Sequence, residues 1–106
     1  MAFVHLHNHT EYSLLDGLTH VKDMVRRAAD LDMPAVAITY HGVMSGVPEL
    51  CDACTAVEKE TGKKVKPIYG CEVYFTTDEE LRKDVKPKLY HLLLLAKTNE
   101  GYHNLL

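Results

Sequence analysis

Basic residues are not in excess in this sequence. Lysine and arginine total 12 against 15 aspartates and glutamates, a formal net charge of −3 with histidine neutral. A surface built to neutralise phosphates carries the opposite imbalance, so the chain by itself has no electrostatic footprint for nucleic acid. Long hydrophobic runs are missing too. The most apolar stretch, LYHLLLLA, falls far short of the roughly 18 residues of a membrane span. No apolar region follows a basic start at the N-terminus, so the sequence predicts no export and no membrane. Cysteine is scarce and odd in number, three residues in all, which predicts a reducing, cytoplasmic setting. There is no internal repeat and no low-complexity segment. What remains is 46% hydrophobic and 25% charged over 106 residues. That composition describes one small globular domain with a modest core.

Apolar spacing and turn residues divide the chain. AFVHLH (2–7) reads as a strand and residues 10–17 as a loop. From Thr19, a candidate N-cap, Val21, Met24, Val25, Ala28 and Leu31 follow helical spacing. AVAIT (35–39) after Pro34 is continuously apolar, as a strand covered on both faces is. HGVMSG (41–46) is a loop, and Pro48 to Gly62 bounds a second helix. VKPIYGCEVYF (65–75) predicts a strand, kinked or bulged at Gly70. TTDEELRKDVKPK predicts an exposed insert with one weak helical turn. KLYHLLLLAKT (88–98) predicts a fourth strand, and a helix begins at Thr98 or Asn99. Strands alternating with helices predict an α/β fold with a mostly parallel sheet. Such sheets gather binding groups at the C-terminal ends of their strands. His7, His9, His41 and Glu72 all fall at or just past predicted strand ends. Because the chain stops as a helix starts, it reads as part of something longer.

HLHNH carries three of the seven histidines, at every second position. Residues two apart on a strand share a face, with roughly 6.6–7 Å between their Cα atoms. Two such imidazoles can reach one ion, and neutral imidazole is a common ligand for zinc and similar metals. The competing reading is an exposed, solvated strand face. His41 and Glu72, at other strand ends, tip the balance towards a metal site.

Four stretches, HLHNHTEYSLLDG, AITYHGVMSG, PIYGCEVYF and YHLLLLAKTNEGYHNLL, together resemble the opening of the PHP (polymerase and histidinol phosphatase) domain. They most resemble the type at the N-terminus of bacterial replicative polymerase alpha subunits. The resemblance runs over essentially the whole chain. It implies a (β/α)7 barrel with up to three divalent metal ions, zinc or manganese, at the mouth of its strands. Residues 1–106 are then the N-terminal portion of a single domain, without its later strands and motifs. The resemblance implies that His7 and His9 bind one metal, that Asp16 and His41 share another, and that Glu72 bridges two. It places His91 at a later ligand position, with a buried core histidine as the rival reading. His5 stands where many relatives carry aspartate, so it and Tyr40 become candidates for supporting contacts around the ligands.

By the same resemblance the parent protein is a DNA-directed DNA polymerase, with DNA and other replicase subunits as partners. Active members of the family are phosphoesterases, and in some polymerases the domain is a 3′–5′ exonuclease. In others it is an inactive scaffold. A stand-alone phosphatase is a third reading, against which GYHNLL counts. One departure bears on catalysis. The family's second motif usually reads TDH, and here Thr39-Tyr40-His41 puts a neutral, bulky phenol where an acid is usual. An incomplete barrel also leaves open edges, which predicts self-association of the segment. Of the remaining candidates, CDAC (51–54) reads as helix residues with at least one buried, and Cys71 as core. His20 and His103 read as surface, and Glu11 and Tyr12 as loop residues.

Overall fold

The computed structural model of the chain describes residues 3–12, 17–82 and 86–106. Its elements are α1 (Val21–Asp30), β1 (Ala35–His41), α2 (Val47–Thr61), β2 (Lys66–Phe75), α3 (Asp78–Leu81), β3 (Tyr90–Leu95) and α4 (Asn99–Leu105). Helix α1 buries Val21, Val25 and Ala28 of the predicted stripe, with Ala29 beside them; Met24 is half-buried, and Leu31, just past the helix end, is exposed. It begins one residue later than expected, with His20 rather than Thr19 at the N-cap. The Thr19 carbonyl instead accepts the Glu11 N–H at 3.0 Å. Helix α2 starts with Pro48 in its first turn and ends at Gly62, whose φ of 74° is the left-handed cap that glycine favours. Thr98 caps α4, its hydroxyl accepting the Gly101 N–H at 3.1 Å.

Even-numbered residues of β1, Val36, Ile38 and Tyr40, pack with α1 and α2 in one apolar core that includes Leu50, Cys54, Val57 and Val65. Odd-numbered Ala37 and Thr39 are buried on the other face. Both sides of β1 are therefore covered, as its unbroken apolar sequence predicts.

The sheet departs from the expected pattern in three ways. Its order is β1-β2-β3, with β1–β2 parallel but β2–β3 antiparallel. A parallel return needs a crossover element long enough to cover the sheet. Among the described residues between β2 and β3 the one helix, α3, has four residues and buries none of them. The chain turns back instead, and the return is tied by Thr76 Oγ1 donating to the Lys88 carbonyl at 2.7 Å. The mostly parallel expectation is corrected accordingly.

Second, the described residues form an open three-stranded sheet and no barrel. Three strands are too few to close into a barrel.

Third, a strand is expected at 2–7, but the described residues 3–7 of that stretch join no strand of the sheet. The segment does run alongside β1, with Ala37 N–H donating to the His5 carbonyl and Thr39 N–H to the Asn8 carbonyl. The N-terminal segment thus advances three residues, from 5 to 8, while β1 advances two, from 37 to 39. That mismatch breaks a regular ladder.

Gly70 is not a bulge. Its partners on both sides, Thr39 and Leu95, sit in unbroken register. Glycine is there because the neighbours are close. A Cβ would lie 2.6 Å from the Leu94 carbonyl oxygen and 3.0 Å from Thr39 Cγ2. The backbone atom cannot swing aside, so Gly70→Ala is expected to cost about 1–3 kcal/mol, the usual penalty of overpacking. A urea melt within error of the parent would show that β3 shifts freely.

Candidate metal centre

The register of the sheet assembles the site. His41 lies opposite Glu72 in the parallel pair, so both side chains leave the same face. In the antiparallel pair Tyr74 faces His91, and Tyr74 shares that face with Glu72 two residues before it. Reversing β3 therefore still delivers His91, near its start, to the end of the sheet where β1 finishes. His7 and His9 enter from the N-terminal segment on the far side of β1.

Four imidazoles meet one carboxylate. His7 Nε2 and His9 Nε2 lie 3.0 and 3.1 Å from Glu72 Oε2. His41 Nδ1 lies 3.5 Å from the same oxygen, and His91 Nδ1 lies 2.8 Å from Oε1. The rings of His9 and His41 stack at 4.6 Å, and those of His41 and His91 meet edge-on at 5.2 Å. Glu72 is buried, while His7 and His91 are about half exposed. His7, His9, His41 and Glu72 line an open cavity of about 350 Å³.

Burial acts to raise the Glu72 carboxyl, but the His7 hydrogen bond, the charge of His41 and the His9 hydrogen bond outweigh it. The carboxyl is held below its ordinary value. Glu72 is thus an anion that four imidazoles surround. Two triads, His7–His9–Glu72 and His41–Glu72–His91, each place their donor atoms within 4.8 Å of one another and share the carboxylate. Neutral imidazole and carboxylate are donors that zinc, manganese and iron accept, so the residues present fit a divalent metal centre.

Not every residue named from the sequence joins this cluster. Asp16 lies outside the described residues. His5 turns away; its ring meets Phe3 edge-on at 4.7 Å, and it lines a separate, largely apolar cavity with Met24, Leu31 and Met33. Tyr40 sits on the opposite face of β1 from His41. It is fully buried in the core, and its hydroxyl is hydrogen-bonded to the hydroxyl of Thr10, which is buried too. It is linked towards the cluster by this contact with Thr10, the residue that follows His9. Burial, the main cause, raises its phenol above the ordinary 10.0; Glu49 nearby adds to this and the Thr10 bond opposes it. A phenol so held stays neutral and donates no lone pair to a metal.

Sequence reasoning passed over Asn8, which bonds β1 through both backbone and side chain. It also passed over Tyr74, whose ring lies 4.9 Å from His91 and 6.2 Å from His41. The two-residue step from Glu72 was the available signal for Tyr74. Cys51 is exposed, and Cys54 and Cys71 are buried. Burial pushes the Cys54 thiol up to about 11, the reverse of an activated redox pair.

A pH dependence follows from the tyrosines. Burial, aided by a hydrogen bond with Cys51, pushes Tyr69 up to about 12, and Tyr40 is raised as well. Both folded values exceed the unfolded one. Their contribution to stability is therefore fully present below pH 10.0 and is lost as pH rises through the folded values. Urea melts at stepped alkaline pH should show a falling midpoint in that window. If absorbance at 295 nm shows all six tyrosines ionising normally while the chain stays folded, the burial argument fails.

The model of the PHP domain family matches residues 5–106. DNA polymerase III subunit alpha of Helicobacter pylori is 44% identical over 105 residues, covering 99% of this chain and 8% of that protein. The same subunit of Treponema pallidum is 38% identical over 109 residues, covering 100% of this chain and 9% of that protein. The chain thus spans less than a tenth of the length of these relatives. Among solved structures, a protein of Bifidobacterium adolescentis provisionally assigned as a metal-dependent phosphoesterase superposes with a TM-score of 0.58 at 25% identity. That match covers 96% of this chain and 30% of the other. Among the described residues no helix is long and apolar enough to cross a membrane.

Proposed function

Because this chain belongs to the PHP domain family, we propose that it is the N-terminal portion of one PHP domain in a bacterial replicative DNA polymerase III alpha subunit. Later strands of the same domain complete the (β/α)7 barrel on the open side of the sheet. In this reading the domain is a divalent-metal phosphoesterase site of the 3′–5′ exonuclease type, and the parent works in the cytoplasm with DNA and other replicase subunits. The observation that carries it is the single carboxylate of Glu72 between two pairs of histidines. His7 and His9 would hold one ion with Glu72; His41 and His91 would hold its neighbour. Asp16 joins His41 by resemblance alone. Zinc or manganese suits these donors, and up to three ions suit the complete domain.

Metals so bridged would supply a hydroxide at neutral pH and neutralise charge on a phosphoryl group. The chain's own part is to hold the ligands. The depressed Glu72 carboxyl stays ionised, and the half-exposed His7 and His91 leave the cavity open for a phosphodiester end. With a net charge of −3, most of the grip on DNA falls to the rest of the parent.

The test is metal content after dialysis, with the parent chain beside a His7→Ala, His9→Ala double variant. The reading expects metal in the first and a loss in the second; equal retention by both would refute it. Phosphodiesterase activity is expected only from the longer protein, so activity from this chain alone contradicts the proposal that the site is incomplete. A scaffold without catalysis is the second reading, raised by the absence of the family's usual acid from Thr39-Tyr40-His41, although Tyr40 itself lies in the core. His7→Ala in the longer protein separates the two. Exonuclease loss with intact polymerisation supports catalysis, and loss of folding alone supports the scaffold.

The apolar β3 edge has a consequence for the isolated chain. Leu89, Leu92, Leu94 and Leu95 are exposed along it, so self-association is expected. Sedimentation should show mass rising with concentration; a monomer across the whole series would count against it.

A further inference from the structure

His7 and His9 reach Glu72, whereas the residue between them reaches the other way, into β1. Asn8 Nδ2 donates to the Ala37 carbonyl at 2.9 Å and to the His5 carbonyl at 3.1 Å. Both partners are acceptors only, so the amide must face them with its nitrogen. The Asn8 backbone N–H donates to Thr39 Oγ1 at 3.0 Å, and the Asn8 carbonyl accepts from Thr39 N–H at 3.0 Å and Oγ1–H at 3.2 Å. These bonds stand where a regular ladder would have been. They also hold the one-residue mismatch between the segment and β1, since Nδ2 takes up the Ala37 carbonyl that the mismatch leaves over.

We infer that Asn8 is the positioning residue that sets His7 and His9 against Glu72; the inference rests on the metal-centre reading above. Its side-chain amide suits the task because the His5 and Ala37 carbonyls converge on it and require two donors from one group. Alanine leaves both carbonyls without that partner. Aspartate is the same size but turns acceptors towards acceptors. Either change frees the segment to slip along β1, and a slip of one residue carries its histidines to the wrong side. His41 and His91 depend on the β1–β2–β3 register instead, which Asn8 does not make.

The test is a zinc titration of the chain followed by long-range proton–nitrogen NMR, which resolves the imidazole nitrogens of each histidine. Asn8→Ala and Asn8→Asp should raise the zinc concentration for half-response of His7 and His9 by roughly tenfold or more, the scale of outer ligand supports. His41 and His91 should respond near the parent concentration. Val65→Ala serves as the control for general loss of stability. Val65 is buried just before Lys66, at the end of the sheet away from the site. It should leave all four histidines responding as in the parent. Equal shifts of both pairs in the Asn8 variants, no shift in either, or the same selective shift in Val65→Ala would overturn the inference. If no histidine of the parent responds to zinc, the metal-centre reading falls and the inference falls with it. If the parent responds normally and the Asn8 variants match it, only the inference falls.

Discussion

Glu72→Gln is expected to abolish divalent metal binding by this chain while leaving it folded. The side chain keeps its length and shape, so the buried position loses no packing. What goes is the charge and the second oxygen donor. Glu72 is the only residue common to both triads, so one substitution removes a ligand from each. Outer supports of metal ligands are worth about 10- to 100-fold in affinity, and a shared ligand should exceed that range. The amide would also present N–H donors to imidazole nitrogens that now meet an acceptor at 2.8 to 3.5 Å. Isothermal titration with zinc and manganese, alongside circular dichroism, reads the two effects apart. Affinity within tenfold of the parent would mean that the histidines alone hold the ion, with Glu72 a hydrogen-bond acceptor for them.

Tyr40→Ala is expected to be among the most damaging substitutions to the fold. Tyr40 is the largest of the fully buried side chains and packs in the core with α1 and α2. Removing a buried aromatic typically costs about 3–5 kcal/mol, against a total of about 5–15 kcal/mol for a domain. Tyr40→Phe separates packing from polarity. It keeps the ring and strands the buried Thr10 hydroxyl, at about 1–3 kcal/mol. Thr10 adjoins His9, so the phenylalanine variant should also loosen that histidine against Glu72. Chemical denaturation gives the two costs. Equal melts for Tyr40→Phe and the parent would show that Thr10 finds another partner at no cost.

The two predictions have different sources in the chain. The approach of His7 and His9 to one point was legible because it is local. Helix α2 was legible for the same reason: Pro48 fixes a backbone angle at its start, and Gly62 adopts the left-handed conformation at its end. The burial of β1 followed from its unbroken apolar run. Such features depend on neighbours a few residues away, which the order of residues states directly.

The rest depended on residues brought together across the chain. Periodicity marks Tyr90–Leu95 as a strand but is the same in either direction. The described part of the connection offers only the four-residue, unburied α3 in place of a crossover helix, and β3 pairs antiparallel. HxHxH promised three imidazoles on one face, but Asn8 and Thr39 set the segment out of step with β1, and His5 went to another cavity. Tyr40 looked like an altered site residue. Alternation along β1 put it in the core instead, one face away from His41. The sequence by itself determined which chemistry is available. Tertiary packing decided which four histidines share Glu72, because a donor's direction is set by the partner strand it pairs with and not by its place in the chain.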